Sequence, residues 1–234
     1  MSDSALAWSQ RRSRLIAGLA RGELGGTYAD ACVLAATAFS EIASTLWPGD
    51  DGIDRNRFVE TWHEYTQREI NRNLISVPVL IESLEKNGQP QDAMRLIDNN
   101  PMAHDFGNLK RIVTWKDVDL SEQDIHKICP ALQFKFIRSH SYANLFYREV
   151  RSPYTHTCLI GEYASNFSMS QVESGVSYEN NMHAPHRRIH FEVDWLIQVL
   201  NLIVQNLACD FLESPRTRPA QWWLNGASQE TLTK

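Results

Sequence analysis

The sequence predicts a mainly α protein: a helical bundle of four to five long helices, with an insertion of short helices and a small irregular hairpin. Tyr28, Cys32, Ala35, Phe39, Ile42 and Leu46 recur at intervals of four and three, the spacing that lines one face of a helix. Trp195, Leu196, Val199, Leu200, Ile203 and Leu207 form a wide apolar stripe toward the other end. Between them, Asn87-Gly88-Gln89-Pro90 and Asn99-Asn100-Pro101 punctuate the chain and forbid a long helix there.

Taken in order, the first clear helix covers residues 26–47. Gly25-Gly26 precedes it and Trp47-Pro48-Gly49 stops it, because proline removes a donor and glycine permits the turn. Asp54 is a plausible N-cap for a second helix from Arg55 to about Arg72, with Phe58, Trp62 and Tyr65 on one face. The short loop between the two predicts antiparallel packing.

Residues 73–130 read as an insertion of small helices, Pro78 to Lys86 and Pro90 to Asp98 among them, followed by a polar loop from Asn99 to Asn108. Helical spacing returns from Leu132 to Val150, and Arg151-Ser152-Pro153 is expected to interrupt it. An irregular hairpin is expected between Gly161 and His190, then a last long helix from Val193 to Leu212. The domain reading is a single helical domain over 1–213 and a polar tail over 214–234. Trp222-Trp223 in that tail is either docked on the body or used by a partner.

With 234 residues, 43% hydrophobic and 22% charged, the chain suits one globular domain with a sizeable insertion. No stretch approaches ~18 consecutive apolar residues, and no signal peptide is visible, so no membrane association is expected. Cys32, Cys129, Cys158 and Cys209 lie far apart and read as free thiols in a reducing, cytoplasmic setting. The net charge of −5 and pI of about 5.9 exclude a protein that coats nucleic acid by bulk charge, which needs a pI above ~9. They leave room for a local basic site, and Arg11-Arg12-Ser13-Arg14, Arg187-Arg188 and Arg216-Thr217-Arg218 are the basic clusters.

The chain has no glycine-rich phosphate loop, no GxSxG, no HExxH and no spaced cysteine pair. His183, His186 and His190 form a dense histidine group, but Arg187 and Arg188 beside them oppose a metal ion. No metal and no cofactor are expected. The sharper feature is Tyr147-Arg148-Glu149-Val150-Arg151-Ser152-Pro153-Tyr154-Thr155-His156, an R-x4-H pair where an amphipathic helix ends. Arginine grips a phosphate bidentately and stays charged as the transition state gains negative charge. Histidine exchanges protons near neutral pH. RNA supplies its own nucleophile in the 2′-hydroxyl, so the pair suits phosphodiester cleavage without a metal.

The segment resembles the HEPN superfamily (higher eukaryotes and prokaryotes nucleotide-binding domains). Its mark is an arginine, a polar residue, three or more further residues and a histidine, after a helix with an aromatic such as Tyr147. The closing helix from Val193, and the front stretch Leu46-Trp47-Pro48-Gly49 with Ile53-Asp54-Arg55-Asn56-Arg57-Phe58-Val59, are similar too. The resemblance covers roughly residues 12–70 and 132–212. It implies a helical, commonly dimeric domain, and a metal-independent endoribonuclease of bacterial defence or toxin–antitoxin systems. Arg151 would bind phosphate and His156 act as general acid or base, with two copies sharing one cleft. Ser152 stands where the family more often has Asn, Asp or His. Ser152, Tyr154, Arg148 and Glu41 are the supporting candidates. RNA is the expected partner, with an antitoxin or regulatory protein as a further one. The alternative is a non-catalytic module that binds a nucleotide or a partner.

Overall fold

The computed structural model describes residues 2–49, 52–66, 73–104, 112–157, 159–165, 175–180, 187–210 and 216–226. The protein is mainly helical, with a small three-stranded antiparallel sheet. Helices α1 (Ser2–Ala20), α2 (Tyr28–Leu46), α3 (Asp54–Thr66) and α11 (Val193–Asp210) form the bundle. In it α1 packs on α2 and α11, and α11 also covers α2 and α3. The sequence predicts no helix over α1. Its apolar positions are diluted by Arg11, Arg12 and Arg14, and only Ser9, Ile16 and Gly18 of its described side chains are buried.

All six seam residues of α2 are buried. The helix starts at a capping box: the Thr27 N–H donates to Asp30 Oδ2 at 2.8 Å, and the Asp30 N–H donates to Thr27 Oγ1 at 3.3 Å, so two orphan amides are satisfied reciprocally. Its stop at Trp47-Pro48 is followed by Gly49 at φ 121°, a left-handed turn that favours glycine. By length and composition α2 could cross a membrane, yet half of it is buried inside the fold, where it packs on α1, α3 and α11. The parts of the second and last helices expected to reach Arg72 and Leu212 fall outside the described residues.

Short helices occupy the insertion: α4 (Val77–Lys86), α5 (Pro90–Asn99), α6 (Trp115–Val118) and α7 (Glu122–Ile128). The sheet joins β1 (Val113–Thr114), β2 (Val176–Asn180) and β3 (Arg187–Phe191), with Val113 opposite Tyr178 and Val176 opposite Phe191. A buried knot ties this layer to the bundle. Asp119 accepts hydrogen bonds from the hydroxyls of Tyr178, at 2.6 Å, and of Tyr142, and from the Val77 N–H at 3.0 Å. Burial pushes the Asp119 carboxyl up to about 7.

After α8 (Phe134–Arg138), the chain winds through α9 (Tyr142–Phe146), a π-turn (Tyr147–Arg151) and α10 (Ser152–Thr157). The expected interruption at Ser152-Pro153 therefore does not occur. Proline forbids the ordinary helical bond to the carbonyl four residues back, and the chain widens instead: the Ser152 N–H donates to Tyr147 O, five residues back. The carbonyl that Pro153 would leave orphaned, that of Glu149, accepts the Gly161 N–H at 2.6 Å. A Cβ on residue 161 would overlap the Glu149 carboxylate and stand 3.0 Å from its Cα, so this close approach needs glycine.

The core is aromatic. Phe39 meets Trp62 at 4.9 Å and Phe146 at 6.0 Å, and Phe146 meets Phe191 at 5.0 Å. Trp222 and Trp223 are docked on the body. Trp222 packs edge-on to Trp47 at 5.6 Å and Trp223 stacks on His63 at 4.0 Å. The Trp223 N–H donates to Glu60, and Trp223 O accepts from Arg138 at 2.7 Å. Cys32 and Cys129 are free and buried; Cys158 and the Cys209 side chain lie outside the described residues.

Candidate functional site

Arg151 is the last residue of the π-turn, a conformation that occurs mostly as single turns inside α-helices and frequently at functional sites. Its guanidinium lies over the Tyr147 ring at 5.2 Å, donates to the Tyr147 hydroxyl at 3.3 Å, and pairs with Asp54 at 3.5 Å. Asp54 begins α3 and is shared with Arg57, which also donates to the carbonyls of Trp47 and Gly49 at 3.1 and 2.9 Å. The α2–α3 corner is thereby fastened beside the motif. Burial raises the Tyr147 phenol above its ordinary range, against the pull of Arg151, so the oxygen that accepts from Arg151 belongs to a neutral phenol.

Two further arginines join this face. Arg148 pairs with the buried Glu149 at 2.5 Å and lies over the Tyr163 ring at 5.7 Å. Arg55 donates from Nε to Asn144 Oδ1 at 2.7 Å. Burial, then the neighbouring charge of Arg148, holds the Arg55 guanidinium below the usual arginine range. Four guanidinium groups (Arg55, Arg57, Arg148, Arg151) thus gather around two carboxylates, Asp54 and Glu149. Locally the face is cationic on a chain whose net charge is negative, which focuses anions there.

His156 is exposed on α10. Five residues along a helix turn a side chain by roughly 140° and carry it about 7.5 Å. One chain therefore presents Arg151 and His156 on different faces, Arg151 toward α3 and His156 toward solvent. Ser152 is half-buried between them. The Tyr154 hydroxyl donates to Asp30 Oδ1 at 3.2 Å, tying α10 to the start of α2; Asp30, hydrogen-bonded by Thr27 and Tyr154, lies below the usual carboxylate range. Arg148 belongs to the cluster. Glu41 does not: it pairs with Arg12 of α1 at 3.0 Å.

Of the histidine group, His183 and His186 lie outside the described residues. His190 is buried on β3, stacked on Tyr28 at 5.0 Å, with Nδ1 3.3 Å from the Ser177 hydroxyl. Burial lowers its imidazole to about 4. Among the described residues no group of three or more His, Cys, Asp or Glu side chains is placed to hold a metal ion.

From sequence Asp54 is expected only as a helix cap, and Arg55 and Asn144 carry no expected role; Asp54 is instead the first residue of α3 and a partner of Arg151. The Asp54-Arg55-Asn56-Arg57 run is a visible density of charge at a helix start. Its convergence on Tyr147-Arg151 is not visible, because Arg55 and Asn144 are 89 positions apart. No protein-family model, curated protein or solved structure matches the chain.

Proposed function

We propose that the protein is a cytoplasmic, HEPN-type endoribonuclease that cleaves RNA without a metal, in bacterial defence or a toxin–antitoxin stress response. The observation that carries this reading is the arginine face around Arg151, set at the root of a helical arm that exposes His156. Arg151, backed by Arg148 and Arg55, binds the scissile phosphate. The 2′-oxygen attacks phosphorus and loses its proton to one histidine. The bond from phosphorus to the 5′-oxygen breaks, and that oxygen takes a proton from a second histidine. The products are a 2′,3′-cyclic phosphate and a 5′-hydroxyl. The offset between Arg151 and His156 favours a site shared by two copies, each lending His156 to the arginine face of the other.

A second reading has its own observation. Arg151 is already engaged by Asp54 and Tyr147, as in a module that binds a nucleotide or partner without turnover.

Cleavage of cellular RNA by the purified protein in excess EDTA tests the first reading, with His156→Ala and Arg151→Ala alongside. The expected result is cleavage by the parent chain, loss of at least ~100-fold in each variant, and sedimentation as a dimer. Cleavage that survives His156→Ala, or a chain that cleaves as a monomer, overturns it. Nucleotide binding without cleavage selects the second reading.

A further inference from the structure

Arg55 belongs to two places at once. Besides the arginine face, it lines a groove of about 390 Å³ between α3, α8 and the docked C-terminal segment. Its other walls include Asn56 of α3, Gln133, Lys135 and Phe136 at α8, and Asn225 after Trp223. The volume falls within the range of small-molecule sites, about 300–1,000 Å³. No acidic residue is among the described residues that line it.

We propose that this groove binds a single-stranded RNA nucleotide flanking the phosphate held at Arg151, its own phosphate between Arg55 and Lys135 and its base against Phe136. That the occupant is RNA rests on the ribonuclease reading; that it is a phosphate-bearing, planar ligand rests on the groove. Two cations without a carboxylate suit a phosphate. Phe136 is half-buried, braced edge-on by His140 at 5.1 Å, and offers an aromatic surface for stacking. The side chains of Asn56, Gln133 and Asn225 each carry an amide donor and acceptor, the complement of base edges. Such edges are open only in unpaired strands.

Arg55 makes the groove continuous with the motif. Its Nε is fixed by the fully buried Asn144, which orients the rest of the guanidinium. The charge of Arg148 and the phenol of Tyr147 both act on it, and Tyr147 carries Arg151. The C-terminal segment completes the site, held by Trp222, Trp223 and the hydrogen bonds of Trp223 to Glu60 and Arg138.

The test is fluorescence anisotropy with a labelled single-stranded oligoribonucleotide, on the His156→Ala chain so that the probe survives. Lys135→Ala, Phe136→Leu and Arg151→Ala are compared in that background, each checked by thermal melting. Phe136→Leu keeps apolar bulk while removing the stacking face, and is expected to weaken binding about tenfold. Lys135→Ala is expected to lower the salt dependence by about 0.7 in the log–log slope. Affinity and slope unmoved by both, but weakened by Arg151→Ala, overturn the groove and leave the ribonuclease reading standing. Sensitivity to both groove variants with indifference to Arg151→Ala supports the groove and removes Arg151 from RNA binding. No binding by the folded chain overturns both. If Phe136→Leu fails to fold, the Lys135→Ala slope decides.

Discussion

Two halves of one continuous helical run behave as different materials. From Tyr142 to Val150 every side chain except Arg148 is buried, while from Ser152 to Thr157 none is. The boundary is the π-turn, where the hydrogen-bond step lengthens and Pro153 is admitted. The first half is held from outside by Phe39, Phe58, Trp62 and Phe191. The second is held by its own backbone, by Tyr154 on Asp30, and by threonine hydroxyls bonded to carbonyls four residues back. The run thus exposes Thr155, His156 and Thr157 on a helix whose root, not whose tip, is responsible for stability.

The largest contrast between the halves is expected from truncation. Phe146→Ala removes a fully buried ring and is expected to cost about 3–5 kcal/mol, whereas His156→Ala, at an exposed position, costs under ~0.5 kcal/mol. Urea denaturation of both measures this, and equal losses would erase the distinction. Next in size is Gly161→Ala. It forces the new methyl into Glu149 and strains the bond that closes the Pro153 gap, for an expected loss of about 2–3 kcal/mol. Hydrogen exchange of the Gly161 amide reports that bond directly, and strong protection retained in the variant would refute the account.

The smallest effect depends on pH. His140, buried just before the run, donates from Nδ1 to Phe136 O at 3.0 Å, and burial lowers its imidazole to about 4. The folded chain keeps it neutral, while an unfolded chain protonates it below about 6.5. Its contribution is complete above about pH 6.5 and is lost as pH falls from there toward 4. Between pH 7 and 5 it accounts for about 1–2 kcal/mol of acid sensitivity. His140→Gln should flatten the stability curve by that amount over that window, and an unchanged slope would place the sensitivity elsewhere.

What could be read from sequence follows the range of the interactions involved. The α2 seam and the α11 stripe are local periodicities, and both are buried as helices in the expected places. The hairpin was legible from alternation around Val176-Ser177-Tyr178, although its third strand, Val113–Thr114, pairs from more than sixty positions away. Pro153 predicts a break because its cost is local, whereas its remedy, Gly161, comes from a later turn. Arg151 and His156 stand out in the sequence only as residue types, from which a phosphodiester chemistry is a proposal. Their separation around the helix is not visible there, because it depends on the run continuing through proline. The docking of Trp223 on Glu60 spans 163 positions, beyond any periodicity.

The bond from Gly161 to Glu149 also has a mechanical meaning. Beyond it, Tyr163 O accepts the Ile189 N–H at 2.7 Å, and the Ser165 N–H donates to Ile189 O at 2.9 Å. The segment 161–165 is therefore clamped at the helix root and again at β3. The helix that exposes His156 is thus joined at its root to the sheet through residues 161–165. A displacement of α10 would therefore be passed to β3, and to α11, which follows β3 directly in the chain.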